Sequence, residues 1–380
     1  MGRDAVIVAA ARTPLGKRNR ALADRHPVDL SVAVLDAVVE RAGVEPGLVA
    51  DVIWGCVAQV GEQSFNIART AALAAGWPES VTGVTVDRQC GSSQQAVHFA
   101  AAGLIAGHDD LVIAGGVESM SRVPMGSSRA GADPWGEAFL ARYGTHPAQG
   151  PAAELVARRW GLERERLDAY ALESHARAAA AEDAGAFAAE IAPVDTPAGA
   201  LERDEGIRRG STPEAMAALP PAFAEDGVIT AGNASQISDG AAALLLTTSE
   251  RARELGLRPL ARIHTAVVAG DDPVLMLTAP IPATRKALER SGLALEDIGV
   301  FEVNEAFASV PLAWLAETGA DPARLNPNGG AIALGHPLGA SGARLMTTML
   351  HRMLATGSRY GLQTMCEAGG QANATILELM

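Results

Sequence analysis

Two cysteines, a histidine and an asparagine stand where chain direction changes. Cys90 lies in Val86-Asp87-Arg88-Gln89-Cys90-Gly91-Ser92-Ser93-Gln94-Gln95-Ala96, between an extended run and a helix-forming stretch. A thiol there meets the positive end of a helix dipole, which predicts a lowered pKa and a nucleophilic thiolate. Residues 91–93 are small enough to admit a substrate. The same pattern also fits a buried structural cysteine. His336 lies in the Gly- and Pro-rich run from Asn326 to Gly342. That run lacks the spacing of a phosphate loop or a dinucleotide fingerprint, so nucleotide hydrolysis and dinucleotide binding are set aside. An imidazole held just before a helix can activate a thiol; it can equally be a loop histidine with a satisfied ring. Asn304, in Val303-Asn304-Glu305-Ala306-Phe307, offers an uncharged amide donor or a helix N-cap. Glu305 is placed to position a neighbour. Cys366 precedes Glu367-Ala368-Gly369-Gly370, a turn whose backbone N–H groups suit an oxyanion. It also reads as a strand cysteine before a tight turn.

Short apolar runs alternate with Ala-rich helical stretches, which predicts an α/β fold. Strands are expected at 5–10, 52–57, 81–87 and 111–114, with helices at 29–41 and 90–107. The second half repeats the order, with strands at 260–266, 300–303 and 361–366 and helices at 282–291 and 341–354. The halves read as copies of one β-α-β unit, with the site expected where their loops meet. Between them, 118–242 reads as an insertion, loop-like over 119–150 and helical over 163–183. The expected division is 1–117 with 243–256, an inserted loop domain 118–242, and 257–380.

The chain has 380 residues, 48% of them hydrophobic and 20% charged, which argues against general disorder. Its net charge of −13 opposes nucleic acid and gives no reason to expect an anionic membrane surface. No uninterrupted run of about 18 apolar residues predicts a span. Three cysteines, none in a Cys-x-x-Cys pair, predict neither a disulfide framework nor a zinc site. The expected setting is reducing and cytoplasmic, and Cys56 reads as structural.

Taken together and in this order, the segments resemble the thiolase family over nearly the whole chain, from Arg12-Thr13-Pro14 and Gly16 through Thr230-Ala231-Gly232-Asn233-Ala234-Ser235. Cys-x-Ser (Cys90 to Ser92), Asn-Glu-Ala-Phe (Asn304 to Phe307) and Gly-His-Pro (Gly335 to Pro337) match in full. The last signature departs, because Ala368 stands where thiolases usually carry Gly. The family's His-Met-Gly is also replaced, by His146-Pro147-Ala148-Gln149-Gly150. That stretch tends to meet the acyl group. Gln94-Gln95 looks like thiolases of broader or steroid-like substrates.

The resemblance implies a thiolase fold of two duplicated halves and an acetyl-CoA C-acyltransferase of fatty-acid β-oxidation type. Cys90 would be the nucleophile, His336 its support, Cys366 the acid and base, and Asn304 the holder of a water at the enolate oxygen, which His336 also faces. The N–H groups of Cys90 and Ala368 would form the second oxyanion hole. If residue 368 needs a positive φ, Ala368 weakens that hole. Arg208 and Ser235 would meet the nucleotide end and pantetheine arm of CoA. No metal or cofactor is implied beyond CoA as substrate. The assembly implied is a homodimer or homotetramer. Two other readings stay open. One is a ketoacyl synthase-like condensing enzyme, disfavoured by Cys366 beside Gly-His-Pro. The other is a weakened acyl-CoA-binding subunit, encouraged only by Ala368.

Overall fold

The computed structural model describes residues 2–380. Nine strands of its ten-stranded main sheet form one continuous path: β1 (Val6–Arg12), β2 (Asp51–Gly55), β3 (Thr82–Val86), β4 (Leu111–Ser119), β5 (Ser238–Thr247), β6 (Ala261–Gly270), β7 (Ile298–Val303), β8 (Tyr360–Glu367) and β9 (Gln371–Leu379); the tenth, Gly16–Lys17, pairs with the start of β5. The spatial order is β7-β8-β9-β6-β1-β5-β4-β2-β3. The first half runs β1-β5-β4-β2 and the second β6-β9-β8-β7, which is the same order twice. The β4–β2 and β8–β7 pairs are both parallel. The halves join edge to edge where Val6 and Ile7 pair with Arg262 and Ala261. Strand β3 has no counterpart in the second half and forms a sheet edge.

Side chains alternate between layers along the buried strands. On β4, Leu111 and Ile113 pack with α1 (Pro27–Ala42) and α2 (Ile67–Ala74), while Val112 and Ala114 pack with α3 (Ser92–Ala106). Helix α1 buries Leu30, Val34, Leu35 and Val38 on one face and stops at Gly43, whose φ of 67° suits glycine. The insertion holds α4 (Gln149–Arg159) and α5 (Arg164–Asp183). In the second half, α6 (Pro280–Ser291) and α7 (Ser309–Thr318) cover the outer face, and α8 (Ser341–Thr356) shares the inner layer with α3.

Where α3 and α8 begin, backbone touches backbone. A Cβ on Gly342 would lie 2.3 Å from Gln94 N, and one on Gly116 would lie 2.3 Å from Gly339 O. Ser93 Oγ accepts the N–H of Ala343 at 2.9 Å. The starts of the two helices carrying the candidate chemistry thus pack backbone against backbone, with the Ser93 hydroxyl as a short bridge.

The structure differs from expectation in places. The stretch 119–150 is not all loop, since Gly136–Tyr143 is helical and α4 opens at Gln149. Strand β4 continues to Ser119, and β5 starts at Ser238, inside the expected insertion. Strands β5 and β9 were not expected. The Ala- and Leu-rich β5 is buried throughout, so it shows no polar alternation, and its residues favour helix locally.

Candidate active site

Cys90 ends a strained turn. Gln89 before it has φ of 49°, a left-handed conformation that costs a non-glycine residue about 1 kcal/mol or more. Ser92 holds the turn, accepting the Arg88 N–H at 2.9 Å and donating its hydroxyl to Gln89 O at 2.5 Å. Gly91 is the N-cap of α3. Cys90 is 7% exposed, against 2% for Cys366 and 0% for Cys56.

His336 is held through both ring nitrogens. Nδ1 lies 2.6 Å from Ser341 Oγ, and Asn304 Nδ2 lies 3.3 Å from Nε2. The backbone N–H of His336 points to Ser238 Oγ and Gln236 O, each at 3.2 Å. Asn304 directly follows β7 and does not cap α7, whose N-cap is Ala308. Its Oδ1 is buried with no protein partner.

Cys366 lies near the end of β8, in a hairpin closed by Ala368-Gly369-Gly370. The left-handed positions are Gly369 (φ 88°) and Gly370 (φ 74°). Ala368 is not among the positive-φ residues of the described chain. Alanine is therefore no source of backbone strain there, which removes the reason to expect a distorted N–H.

Cys90, His336, Cys366, Ala368 and Ser235 line one cavity of about 350 Å³. Met120, Met125, Phe223, Leu277, Phe307 and Leu338 give it apolar walls. The size lies within the range of small-molecule sites.

Burial dominates the electrostatics. It holds His336 down to about 3, with the Arg344 charge acting the same way, so the imidazole is neutral near pH 7. It pushes the Cys366 thiol up to about 12, and Glu367 adds to the rise. Cys90 is raised well above its ordinary value by burial, and further by Cys366 and Glu367. The lowered pKa expected of Cys90 is thus reversed, because desolvation outweighs the helix terminus. Cys56 is buried and raised by desolvation, as fits a structural thiol. Behind His336, Arg344 on α8 faces Glu302 on β7. Neither charged end has a hydrogen-bonding protein partner, and burial pushes Glu302 up to about 8 against the Arg344 charge.

Two buried carboxylates brace the loops. Glu305 accepts from Tyr170 Oη (2.9 Å), Ser174 Oγ (2.7 Å), Asn326 Nδ2 (3.0 Å) and Ile332 N (3.2 Å). Its expected positioning role thus falls on the glycine-rich loop that leads to His336. Glu118 accepts from Val57 N, Ala58 N, Gln63 Nε2 and Gly339 N. Glu118 and Ser341 were missed in the sequence, where nothing marks a partner more than 50 residues away or a serine within a small-residue run.

Residues 5–250 match the N-terminal domain of thiolases, and residues 257–379 match their C-terminal domain. The chain belongs to the thiolase family. It is 52% identical over 384 residues to the steroid 3-ketoacyl-CoA thiolase FadA6 of Mycobacterium tuberculosis, covering 99% of this chain and 94% of that one. It is 46% identical over 385 residues to a 3-ketoacyl-CoA thiolase of Erwinia tasmaniensis, covering 98% of each. The crystal structure of the Bacillus anthracis acetyl-CoA acetyltransferase superposes with a TM-score of 0.92 at 40% identity, covering 100% of this chain and 99% of that one.

Two positions that the thiolase resemblance links to CoA lie apart. Ser235 lines the cavity, its N–H bonded to Ala306 O at 2.9 Å. Arg208 does not line it; half-buried, it donates its backbone N–H to His175 Nδ1 at 3.1 Å. From the altered stretch 146–150, Gln149 reaches the cavity while His146 is exposed. Gly150 leaves space for Phe223, since a Cβ there would lie 2.1 Å from the ring.

Proposed function

We propose that this thiolase cleaves 3-ketoacyl-CoA to acetyl-CoA and a shortened acyl-CoA, or runs the reverse condensation, through acyl-Cys90. The observation that carries the reading is the convergence of Cys90, His336, Cys366 and Ala368 on one cavity. His336 Nε2 takes the Cys90 proton, which creates the thiolate and turns Nε2 into a donor. The thiolate attacks C3 and the C2–C3 bond breaks. His336 N–H, with a water held by Asn304, stabilises the enolate oxygen. Cys366, a thiol at rest, gives its proton to C2. Its thiolate then takes the proton of incoming CoA, whose sulfur attacks acyl-Cys90. The N–H groups of Cys90 and Ala368 hold that oxyanion. A nucleophile and a separate acid and base are both needed, which accounts for two cysteines.

CoA acts as substrate, and the steps as drawn use no further cofactor. Ser235 would meet the pantetheine arm and Arg208 the nucleotide end. The apolar walls and the likeness to a steroid thiolase support a bulky, ring-bearing acyl group. Identical chains would associate as a dimer or tetramer, with the unpaired edge of β3 and its exposed Val84 available for pairing. No described helix is long and apolar enough to cross a membrane; a cytoplasmic setting is part of the proposal.

The test is mass spectrometry after mixing with a 3-ketoacyl-CoA panel of varied chain length and ring content. An acyl adduct on Cys90, discharged by CoA, is expected, and Cys90→Ser should abolish turnover. An adduct on Cys56, or full turnover by Cys90→Ser, would refute the nucleophile assignment.

A further inference from the structure

Glu367 is a buried carboxylate beside both reactive cysteines, and the steps above do not use it. It directly follows Cys366 at the end of β8 and is 0% exposed. Its Oε1 accepts the Asn373 N–H at 3.1 Å, while Oε2 is buried with no protein partner. The carboxylate packs on Gly91, the residue after Cys90. A Cβ on Gly91 would lie 1.8 Å from Glu367 Oε1 and 2.6 Å from its carboxyl carbon. Gly91 has φ of −86°, so the backbone does not demand glycine there; the space taken chiefly by Glu367, with Asn373 Oδ1 at 2.8 Å beside it, does. On the other side of the turn, Arg88 Nη1 donates to Gln371 Oε1 at 3.0 Å. Gln371 is the register partner of Glu367 across the hairpin. The Cys90 turn is therefore gripped on both sides of the nucleophile by residues of one hairpin. The N–H groups assigned to the acyl oxyanion flank that grip, since Cys90 precedes Gly91 and Ala368 follows Glu367.

We propose that Glu367 is a positioning residue for acyl transfer, its carboxyl group setting the spacing between the Cys90 and Ala368 N–H donors and its charge controlling how readily Cys90 ionises. The proposal rests on the thiolase roles given to Cys90 and Ala368. The titratable groups around Glu367 are Arg88 and Cys90 on the turn, Cys366 on its own strand, and His98 on α3, reached through Asn373 Nδ2 at 3.1 Å. Burial pushes Glu367 up to about 8 against the Arg88 charge. Once ionised, it opposes a thiolate at both cysteines. The neutral carboxyl is thus the form that permits the Cys90 thiolate, and its bulk holds the turn in either form.

The experiment compares Gly91→Ala, Glu367→Ala, the double variant and Glu367→Gln as full chains, each checked by thermal melting. Gly91→Ala should lower kcat about tenfold or more by displacing a donor. Adding Glu367→Ala should restore most of that loss, because the methyl enters the space the carboxylate leaves. Glu367→Gln keeps the shape without the charge. Iodoacetamide should then alkylate its Cys90 several-fold faster than wild type above pH 8, with the curves meeting near pH 6. A double variant no better than Gly91→Ala, or Glu367→Gln and wild-type curves that coincide to pH 10, would overturn the proposal. The alkylation arm needs no acyl-CoA and stands if packing defects unfold the other variants. A wild-type chain inert toward every 3-ketoacyl-CoA would count against the thiolase roles alone.

Discussion

Ser341 Oγ stands 2.6 Å from His336 Nδ1 and gives its own proton to the Pro337 carbonyl at 2.9 Å. The hydroxyl can therefore only accept from the ring. This network assigns the ring hydrogen to Nδ1 and leaves the Nε2 lone pair toward the Asn304 amide. A serine five residues along the chain thus leaves Nε2 as the ring nitrogen able to accept a proton, the part that the proposed mechanism gives it.

Ser341→Ala should free the ring to change tautomer. We expect kcat to fall about tenfold to a hundredfold, less than when a catalytic triad is forced into the wrong tautomer. The KM for CoA should change little. Steady-state kinetics check this, and an unchanged kcat would show that Asn304 alone orients the ring.

Cys366→Ala should leave acyl transfer from an acyl-CoA to Cys90 measurable while stopping carbon–carbon chemistry. The sensitive readout is hydrogen–deuterium exchange at C2 of acetyl-CoA. Exchange at the wild-type rate in the variant would remove Cys366 from the acid and base role.

Ala368→Gly should not raise kcat, because the left-handed positions of the hairpin are already Gly369 and Gly370. The added backbone freedom should lower stability by up to about 1 kcal/mol. Urea unfolding with parallel kinetics tests both parts. A clear gain in kcat would mean that alanine does impair the oxyanion hole.

Glu302→Gln carries a pH signature. In the fold, burial raises Glu302 from an ordinary 4.5 to about 8. As pH rises between those values, the unfolded chain releases this proton and the folded chain keeps it. Folding stability is therefore lost across that window. The urea midpoint of wild type should fall relative to Glu302→Gln from pH 5 to pH 8, with the two nearest at low pH. Parallel midpoints across the window would show that Arg344 already holds Glu302 ionised.

That Cys90, His336 and Cys366 would meet in one cavity, with Asn304 at the His336 ring, was legible because each sits in a short motif at the end of an element, and the duplicated order of elements was legible with them. What the sequence hid was set at a distance. The Cys90 dipole argument is local, whereas the desolvation that reverses it comes from layers packed around both cysteines. Strand β5 is a run of Ala and Leu whose extended form is imposed by β1 and β4 on either side. The Glu118 carboxylate reaches Gly339 across 221 positions, a pairing no spacing rule contains.

The glycine seam between α3 and α8 limits how this enzyme can diversify. At Gly55, Gly116, Gly339 and Gly342 an added methyl carbon would fall within 2.3 to 2.6 Å of backbone atoms. Mutational drift on that wall meets steric rejection before it reaches the reacting groups. The wall bearing Met125, Gln149 and Phe223 is looser: Met125 is 52% and Phe223 45% exposed. New acyl specificities should therefore arise by replacing residues of that outer rim, leaving the seam as an inherited constant of the lineage.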